Sequence, residues 1–464
     1  MEDKHMLKTC TTILVGKNAS LTGSTLIARN EDGADDSNAQ RFVVVTPEDQ
    51  PQPYHSVHSD LTIPLPDNPL RYTATPDADP TYGIWGAGGI NSKNTAMTAT
   101  ETITTNARVL SVDPLVEKGL GEEDFLTLVL PYIESAKAGV LRLGKLLEEY
   151  GTYESNGIAF ADREEIWYME TIGGHHWAAI RIPDDAYAIA PNRWNITDFD
   201  FNSADCLASA DLPEFIAKNQ LNPDHEGLNL RHIFGSATIK DRYYNNPRAW
   251  YVHQFLDDNF VGEPTDQDLP FINRATKKIS VEDLKFLLSS HYQETPYDPY
   301  GKTVPKKHFR PIGINRNLET HILELRNQVP DEIAGIHWLA FGPNTFNAMV
   351  PFYSNVTDTP TCYRDTPTVV NTNYMYWISR VLALIGDGNF ALYQDLQDNF
   401  AQTVLQNMLR MQKETDRQAT PTEKTLTSAN QAMADFILAQ ATKLLNDAIN
   451  LGSRNMKLRF SLGD

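Results

Sequence analysis

The feature that most constrains the fold is a series of four short strand-like runs between residues 157 and 190. Gly157-Ile-Ala-Phe-Ala-Asp162, Glu165-Ile-Trp-Tyr-Met-Glu170, Trp177-Ala-Ala-Ile-Arg-Ile182 and Ala186-Tyr-Ala-Ile-Ala190 are separated by Asp/Arg, Gly-Gly and Pro-Asp-Asp turns. These gaps cannot hold a crossover helix, so the runs predict an antiparallel meander. A hairpin is expected to begin at Cys10, where Thr11–Val15 and Ser24–Arg29 flank a Gly/Asn/Ser turn. Further strands are expected at 335–341 and 346–352. Helical periodicity marks 122–150, 373–386, 390–413 and 423–450, which makes 373–450 largely helical. Strand clusters and long helices without a regular βαβ rhythm indicate an α+β layered architecture rather than a doubly wound sheet. The Pro- and Asp-rich stretch 50–80 reads as a surface excursion, and 10–464 as a single domain. Gly86-Ala-Gly-Gly89 lacks either phosphate-loop spacing and reads as close strand packing.

Composition excludes several function classes. The 464 residues carry a net charge of −20, a sign that repels phosphate backbones and anionic lipid, so neither nucleic acid nor a membrane is an expected partner. No run approaches 18 uncharged apolar residues, and the first nine residues carry Glu2, Asp3, Lys4 and Lys8 without the apolar core of an export signal. The expected location is therefore cytoplasmic. The apolar helices near the C-terminus suggest a homo-oligomer. His175, His176 and His321 lack an HExxH pattern, and His175 and His176 would point to opposite faces of a strand, so no metal is expected. Cys10, Cys206 and Cys362 show no CxxC spacing and form neither a disulfide framework nor a thiolate zinc site.

Cys10 differs from the other two in its setting. Packing is the default for a lone cysteine, but the hairpin partner ends in Arg29-Asn-Glu-Asp32 and returns an arginine and an aspartate to its neighbourhood. An adjacent guanidinium lowers a thiol's pKa. If residues 1–9 were a leader that is removed, Cys10 would gain an α-amino group with an ordinary pKa of about 7.7–8.0, suited to act as a general base. Nucleophile and base would then reside in one residue.

Cys10-Thr-Thr-Ile-Leu-Val-Gly-Lys17 with Ala28-Arg-Asn-Glu-Asp-Gly33 resembles the start of the cysteine dipeptidases of the dipeptidase A type. These are N-terminal nucleophile hydrolases related to bile acid hydrolases and penicillin V acylases. Further similar blocks are Gly89–Thr102, Trp167–Trp177, Pro191-Asn192, Asn246-Pro-Arg-Ala-Trp250, Glu319–Ile322 and Trp338–Pro343. The resemblance implies a four-layer αββα sandwich with additional C-terminal helices, and hydrolysis of dipeptides by acyl transfer to Cys10 without a cofactor. It further implies Arg29 near the sulfur, Asp32 on the α-amino group, Asn192 in the oxyanion hole and Arg248 at the rear of the site. Where the acylase relatives commonly place Asn or Tyr, counting forward from Asn91 arrives at Glu101. An ionised carboxylate only accepts hydrogen bonds, so Glu101 suits a substrate ammonium, or else it is a strand-end carboxylate satisfied by nearby threonines. Two alternatives accompany the dipeptidase reading: an acylase acting on a non-peptide amide, and an uncleaved, inactive binding protein.

Overall fold

The computed structural model describes residues 9–33, 38–84, 86–302, 308–418, 421–458 and 460, together with the backbone but not the side chains of Tyr82, Thr100 and Glu101. Two antiparallel sheets lie face to face between two layers of helices. The first sheet is built on β1 (Thr11–Val15) and β2 (Thr25–Asp32), paired as the expected hairpin with Thr12 opposite Arg29. The second contains β3 (Gly88–Ile90), β4 (Ala96–Thr102), β5 (Asn156–Ala161), β6 (Ile166–Ile172) and β7 (His176–Ile182). The first sheet is extended by β8 (Tyr187–Ala190), and β9 (Cys206–Ala208) returns to the second. The short β10 (Ile272–Asn273) and the longer β11 (Asn317–Leu325), β12 (Gly335–Phe341) and β13 (Val350–Tyr353) complete the first sheet. Its order is β10-β8-β1-β2-β11-β12-β13, and that of the second is β9-β7-β6-β5-β4-β3.

The four-run meander is thus corrected in one respect: three runs pair within the second sheet, whereas the fourth crosses to the first and pairs with β1, Ala190 opposite Thr12. The Pro183-Asp-Asp turn makes the crossing by packing on Gly16, where a Cβ would lie 2.4 Å from the Pro183 carbonyl oxygen. That crossing places the Pro191-Asn192 segment at the same end of the first sheet as Cys10.

The two-residue period of a strand sorts the cores. Leu14 and Ile27 join Ala159, Tyr168 and Leu323 between the sheets. Ile13, Val15, Leu26 and Ala28 face outward onto a helical layer that includes Val404, Met408 and Ile437. On the far side, Met97, Phe160, Trp167 and Met169 pack against Phe125, Val140 and Leu147. The expected αββα layering follows directly from this alternation.

The helix expected over 122–150 is split into α1 (Glu122–Val129) and α2 (Ala136–Tyr150). Pro131 and the N-cap of Ser135, whose side chain accepts from Ala138 N, interrupt it. The helix α3 (Asn246–Leu256) carries the Asn-Pro-Arg-Ala-Trp block, and α4 (Val281–Leu288) packs on the outer face of the first sheet. Of the C-terminal helices, α5 (Met375–Gly388) is shifted two residues from the expected span at the same length, whereas α6 (Phe390–Asp416) and α7 (Glu423–Arg454) run three and four residues longer than expected. Residues 50–80 are less superficial than their composition suggests, because Tyr54, Ile63, Leu65 and Tyr72 are buried in the core of the second helical layer. Gly89 stands where a Cβ would come within 1.9 Å of the Thr73 carbonyl oxygen, which is the close packing expected of that glycine run. Among the described residues, no helix is long and apolar enough to cross a membrane.

Candidate active site

Cys10 immediately precedes β1 and is 1 % exposed. By alternation its side chain shares the inter-sheet face with Thr12 and Leu14, and on the paired strand with Arg29 and Glu31. Arg29 Nη2 donates to Cys10 Sγ at 2.9 Å. The same nitrogen contacts the Glu31 carboxylate and donates to Glu122 Oε1 at 3.1 Å, while Nη1 donates to the Ala87 carbonyl at 3.0 Å. The thiol also lies 3.6 Å from Glu31 Oε2. The arginine is therefore held rigidly against the sulfur by two strands and by the first residue of α1, where a carboxylate is favoured by the helix dipole. Cys10, Glu31 and Glu122 could turn ligand atoms toward a common point, within 4.8 Å of one another. In this structure Arg29 Nη2 stands within reach of all three.

Asp32 follows on the opposite face of β2. Its carboxylate meets Arg310 and receives a hydrogen bond from Asn317 Nδ2, and its backbone carbonyl accepts from Thr9 N at 3.4 Å. Asp32 thus brackets the residue that precedes Cys10.

Arg248 lies in the first turn of α3, fully buried. Its Nη1 donates to the Cys10 carbonyl and, at 2.8 Å, to Thr11 Oγ1; its Nη2 donates to Asn192 Oδ1 at 2.8 Å and Asn245 Oδ1 at 2.7 Å. Because Arg248 occupies the oxygen of the Asn192 amide, the Nδ2 donor of Asn192 points elsewhere. It has no hydrogen-bond partner among the described residues and is shielded from solvent. A buried, unoccupied donor, tied through Arg248 to the Cys10 backbone, is the kind of group that an oxyanion requires. Four of the expected residues, Cys10, Arg29, Asn192 and Arg248, are brought together this way, with Asp32 at the strand end beside them. Glu101 lies at the end of β4 with its backbone opposite Gly157; its side chain lies outside the described residues, so the substrate-ammonium role stays an expectation.

The segment bearing Asn192 is clamped from below by a residue that sequence reasoning passed over. Glu170 on β6 is fully buried; its Oε1 accepts from Asn195 N at 2.8 Å and Asn195 Nδ2 at 3.0 Å, and its Oε2 from Ile196 N at 3.0 Å. Burial pushes its carboxyl up to about 7 against these bonds. Asn195 Nδ2 in turn donates to the carbonyls of Pro191 and Arg193, on either side of Asn192. Glu31 could have been found from the period of β2 and the hairpin register, which put it opposite Cys10. Glu122 and Glu170 carried no such signal, since each arrives from a distant element. His175 and His176, expected on opposite faces, instead converge through a turn at Gly173 (φ 53°) onto Asp113, at 3.5 and 2.7 Å.

A cavity of about 850 Å³ is lined by Thr9, the residue before Cys10, together with Asn192, Arg108, Lys240, Asp241 and Tyr244. Burial alone would raise the Tyr244 phenol, but Arg310 and Arg248, each 5.2 Å from its ring, outweigh it and hold the group below its ordinary value. Lys240 stands over the same ring at 5.3 Å.

A buried cysteine at a strand start, an arginine on its sulfur and an unoccupied amide donor tied to the same segment through Arg248 are groups that could together serve acyl transfer to a thiol. The chain belongs to peptidase family C69, whose profile matches residues 9–403. It is 56 % identical to the probable dipeptidase B of Lactococcus lactis subsp. lactis (strain IL1403), over 98 % of each chain. It is 55 % identical to dipeptidase A of Lactobacillus helveticus, over 98 % of this chain and 99 % of that one, and 42 % identical to a dipeptidase of Bifidobacterium longum (strain NCC 2705), over 98 % and 99 %. A mutant conjugated bile acid hydrolase from Clostridium perfringens aligns in structure over 78 % of this chain and 99 % of its own, at 11 % identity and a TM-score of 0.29.

Proposed function

We propose that this chain is a cysteine-type dipeptidase in which Cys10, exposed as the N-terminal residue once the leader 1–9 is removed, attacks the peptide carbonyl. The observation that carries the reading is the pairing of Arg29 Nη2 with Cys10 Sγ at 2.9 Å beside the unoccupied Nδ2 of Asn192. Its support from relatives is the dipeptidase name shared by near full-length homologues.

In the proposed reaction the freed α-amino group of Cys10, adjoining Asp32, takes the thiol proton as sulfur bonds to the carbonyl carbon. Negative charge then develops on the carbonyl oxygen, where Asn192 Nδ2 and backbone amides receive it. The ammonium returns its proton to the departing amine, the C–N bond breaks, and an aminoacyl thioester remains. Water, deprotonated by the same amine, releases the first amino acid and regenerates the thiol. No step needs a cofactor. The same reading assigns the protein to the cytoplasm and to a homo-oligomer, for which exposed Leu384 beside an apolar cavity of about 730 Å³ on α5 gives support; light scattering on the purified chain tests the latter.

The experiment is dipeptide turnover with and without iodoacetamide, alongside Cys10→Ala. Full loss of activity in both supports the reading. An alkylated or Cys10→Ala protein that still hydrolyses dipeptides would refute it, and activity confined to non-peptide amides would favour an acylase.

A further inference from the structure

Around Tyr244 the charge balance differs from that of the chain as a whole. Arg316 is half-buried, and its donors meet only uncharged oxygens: Gly33 O at 2.9 Å, Thr9 Oγ1 at 3.2 Å and the Tyr244 hydroxyl at 3.3 Å. It makes no hydrogen bond or close ion pair to a carboxylate among the described residues, although Asp32, already engaged by Arg310 and Asn317, feels its charge. Lys240, which lines the cavity and lies over the Tyr244 ring, makes none either. Asp241 is the one carboxylate among the cavity's described lining, and it is spent internally. Its oxygens accept from Ser236 Oγ, Thr238 N, Thr238 Oγ1 and Asn245 Nδ2 at 2.7–3.0 Å. Arg108, which also lines the cavity, donates to the His232 carbonyl and makes no ion pair among the described residues. In a protein of net charge −20, these cations thus have no directly hydrogen-bonded carboxylate among the described residues, and they gather about Thr9 and Tyr244.

We propose that Arg316 and Lys240, grouped about Tyr244, form the subsite for the terminal carboxylate of the substrate, and that Thr9 occupies it in the uncleaved chain. This rests on the thiol dipeptidase reading above. Thr9 is 7 % exposed, lines the cavity and caps Arg316 with its hydroxyl. Its departure with the leader would uncover a guanidinium whose planar donors match a carboxylate. A dipeptide is the shortest substrate that brings a carboxylate within one residue of the reacting carbonyl. A longer peptide places an uncharged amide there, and the cations lose their partner. Length selection would thus come from a cation cluster on the departing side, independent of any recognition of the ammonium.

The test compares kcat/KM for Ala-Ala and its C-terminal amide in enzyme whose intact mass shows a chain beginning at Cys10. The wild type is expected to prefer the free acid, and Arg316→Met to lower that acid-to-amide ratio about 10- to 100-fold, the scale of one charge-assisted hydrogen bond. Lys240→Met, at an exposed position, should lower it in the same sense and decides the matter if Arg316→Met is not processed. An unchanged ratio, or acid and amide falling in parallel, overturns the proposal. Iodoacetamide-insensitive wild-type activity would instead overturn the thiol reading, whatever the ratio.

Discussion

Replacing Glu170 by Gln isolates the clamp under the candidate oxyanion hole. The carboxylate accepts three hydrogen bonds, two at Oε1 from Asn195 and one at Oε2 from Ile196 N. A glutamine has a single acceptor oxygen and must present its NH2 either to Ile196 N or to both Asn195 donors. At least one buried N–H is left without an acceptor, at a cost of about 1–3 kcal/mol. The smaller loss, with the oxygen kept at Asn195, predicts a decrease in stability near the low end of that range. The consequence for catalysis is larger than the consequence for folding, because the Asn195 amide ties down the carbonyls on both sides of Asn192. Deleting an oxyanion donor outright costs about 100- to 1000-fold in kcat. A displaced donor should cost part of that, about 10- to 100-fold, with KM changed by less than about 3-fold because the contact strengthens only in the transition state. Steady-state kinetics on a dipeptide, together with thermal denaturation, gives both numbers. A variant that loses stability but keeps kcat would refute the clamp as a positioning device, and a loss confined to KM would contradict the placement of Asn192.

Three further predictions follow from the buried charges and the close packing. Arg29→Met leaves the Glu31 and Glu122 carboxylates facing each other without their shared cation, so it should destabilise the fold by about 3–5 kcal/mol in chemical denaturation as well as abolishing turnover; retained activity would remove Arg29 from the site. Glu319 is buried beside His321 at 2.8 Å, and burial raises its carboxyl from 4.5 to about 8. The folded chain then keeps a proton that the unfolded chain releases, so this group's contribution is fullest below about pH 4.5 and is lost as pH rises toward 8. Glu319→Gln should gain stability relative to wild type with rising pH over that window, at up to about 1.4 kcal/mol per pH unit, and a pH-independent difference in melting would contradict the shift. Gly89→Ala should fail to reach native stability in thermal denaturation, because the Thr73 carbonyl is backbone and cannot turn aside.

The legible parts of this protein are those written in local periodicity. The β1–β2 hairpin, the strands from 156 to 182 and the three C-terminal helices all follow from two- or 3.6-residue spacing and turn residues. The crossing of Tyr187–Ala190 to the other sheet was not legible, since a Pro-Asp-Asp turn is compatible with either a hairpin or a crossing. What decides is the packing of that turn on Gly16, a long-range contact. At the site, Cys10 and Arg29 could be read as neighbours because a hairpin joins them. The link from Arg248 to Asn192, by contrast, spans 56 positions and exists only once α3 docks on the end of the first sheet. Glu170 and Glu122 were silent for the same reason, since a carboxylate in a strand or at a helix start has many uses and only the fold selects one. The pair His175 and His176 shows a limit of strand logic: His175 lies in the turn that follows the left-handed Gly173, only His176 belongs to the strand, and both rings reach Asp113.

The central claim is that Cys10 is the N-terminal nucleophile of the working enzyme. Intact mass spectrometry of the active, purified protein, repeated after stoichiometric iodoacetamide, tests it most directly. The account predicts a chain that begins at Cys10, one carbamidomethyl group located on that residue by peptide mapping, and loss of dipeptide hydrolysis in step with its addition. An active chain that still carries residues 1–9, or full activity with Cys10 alkylated, would contradict it.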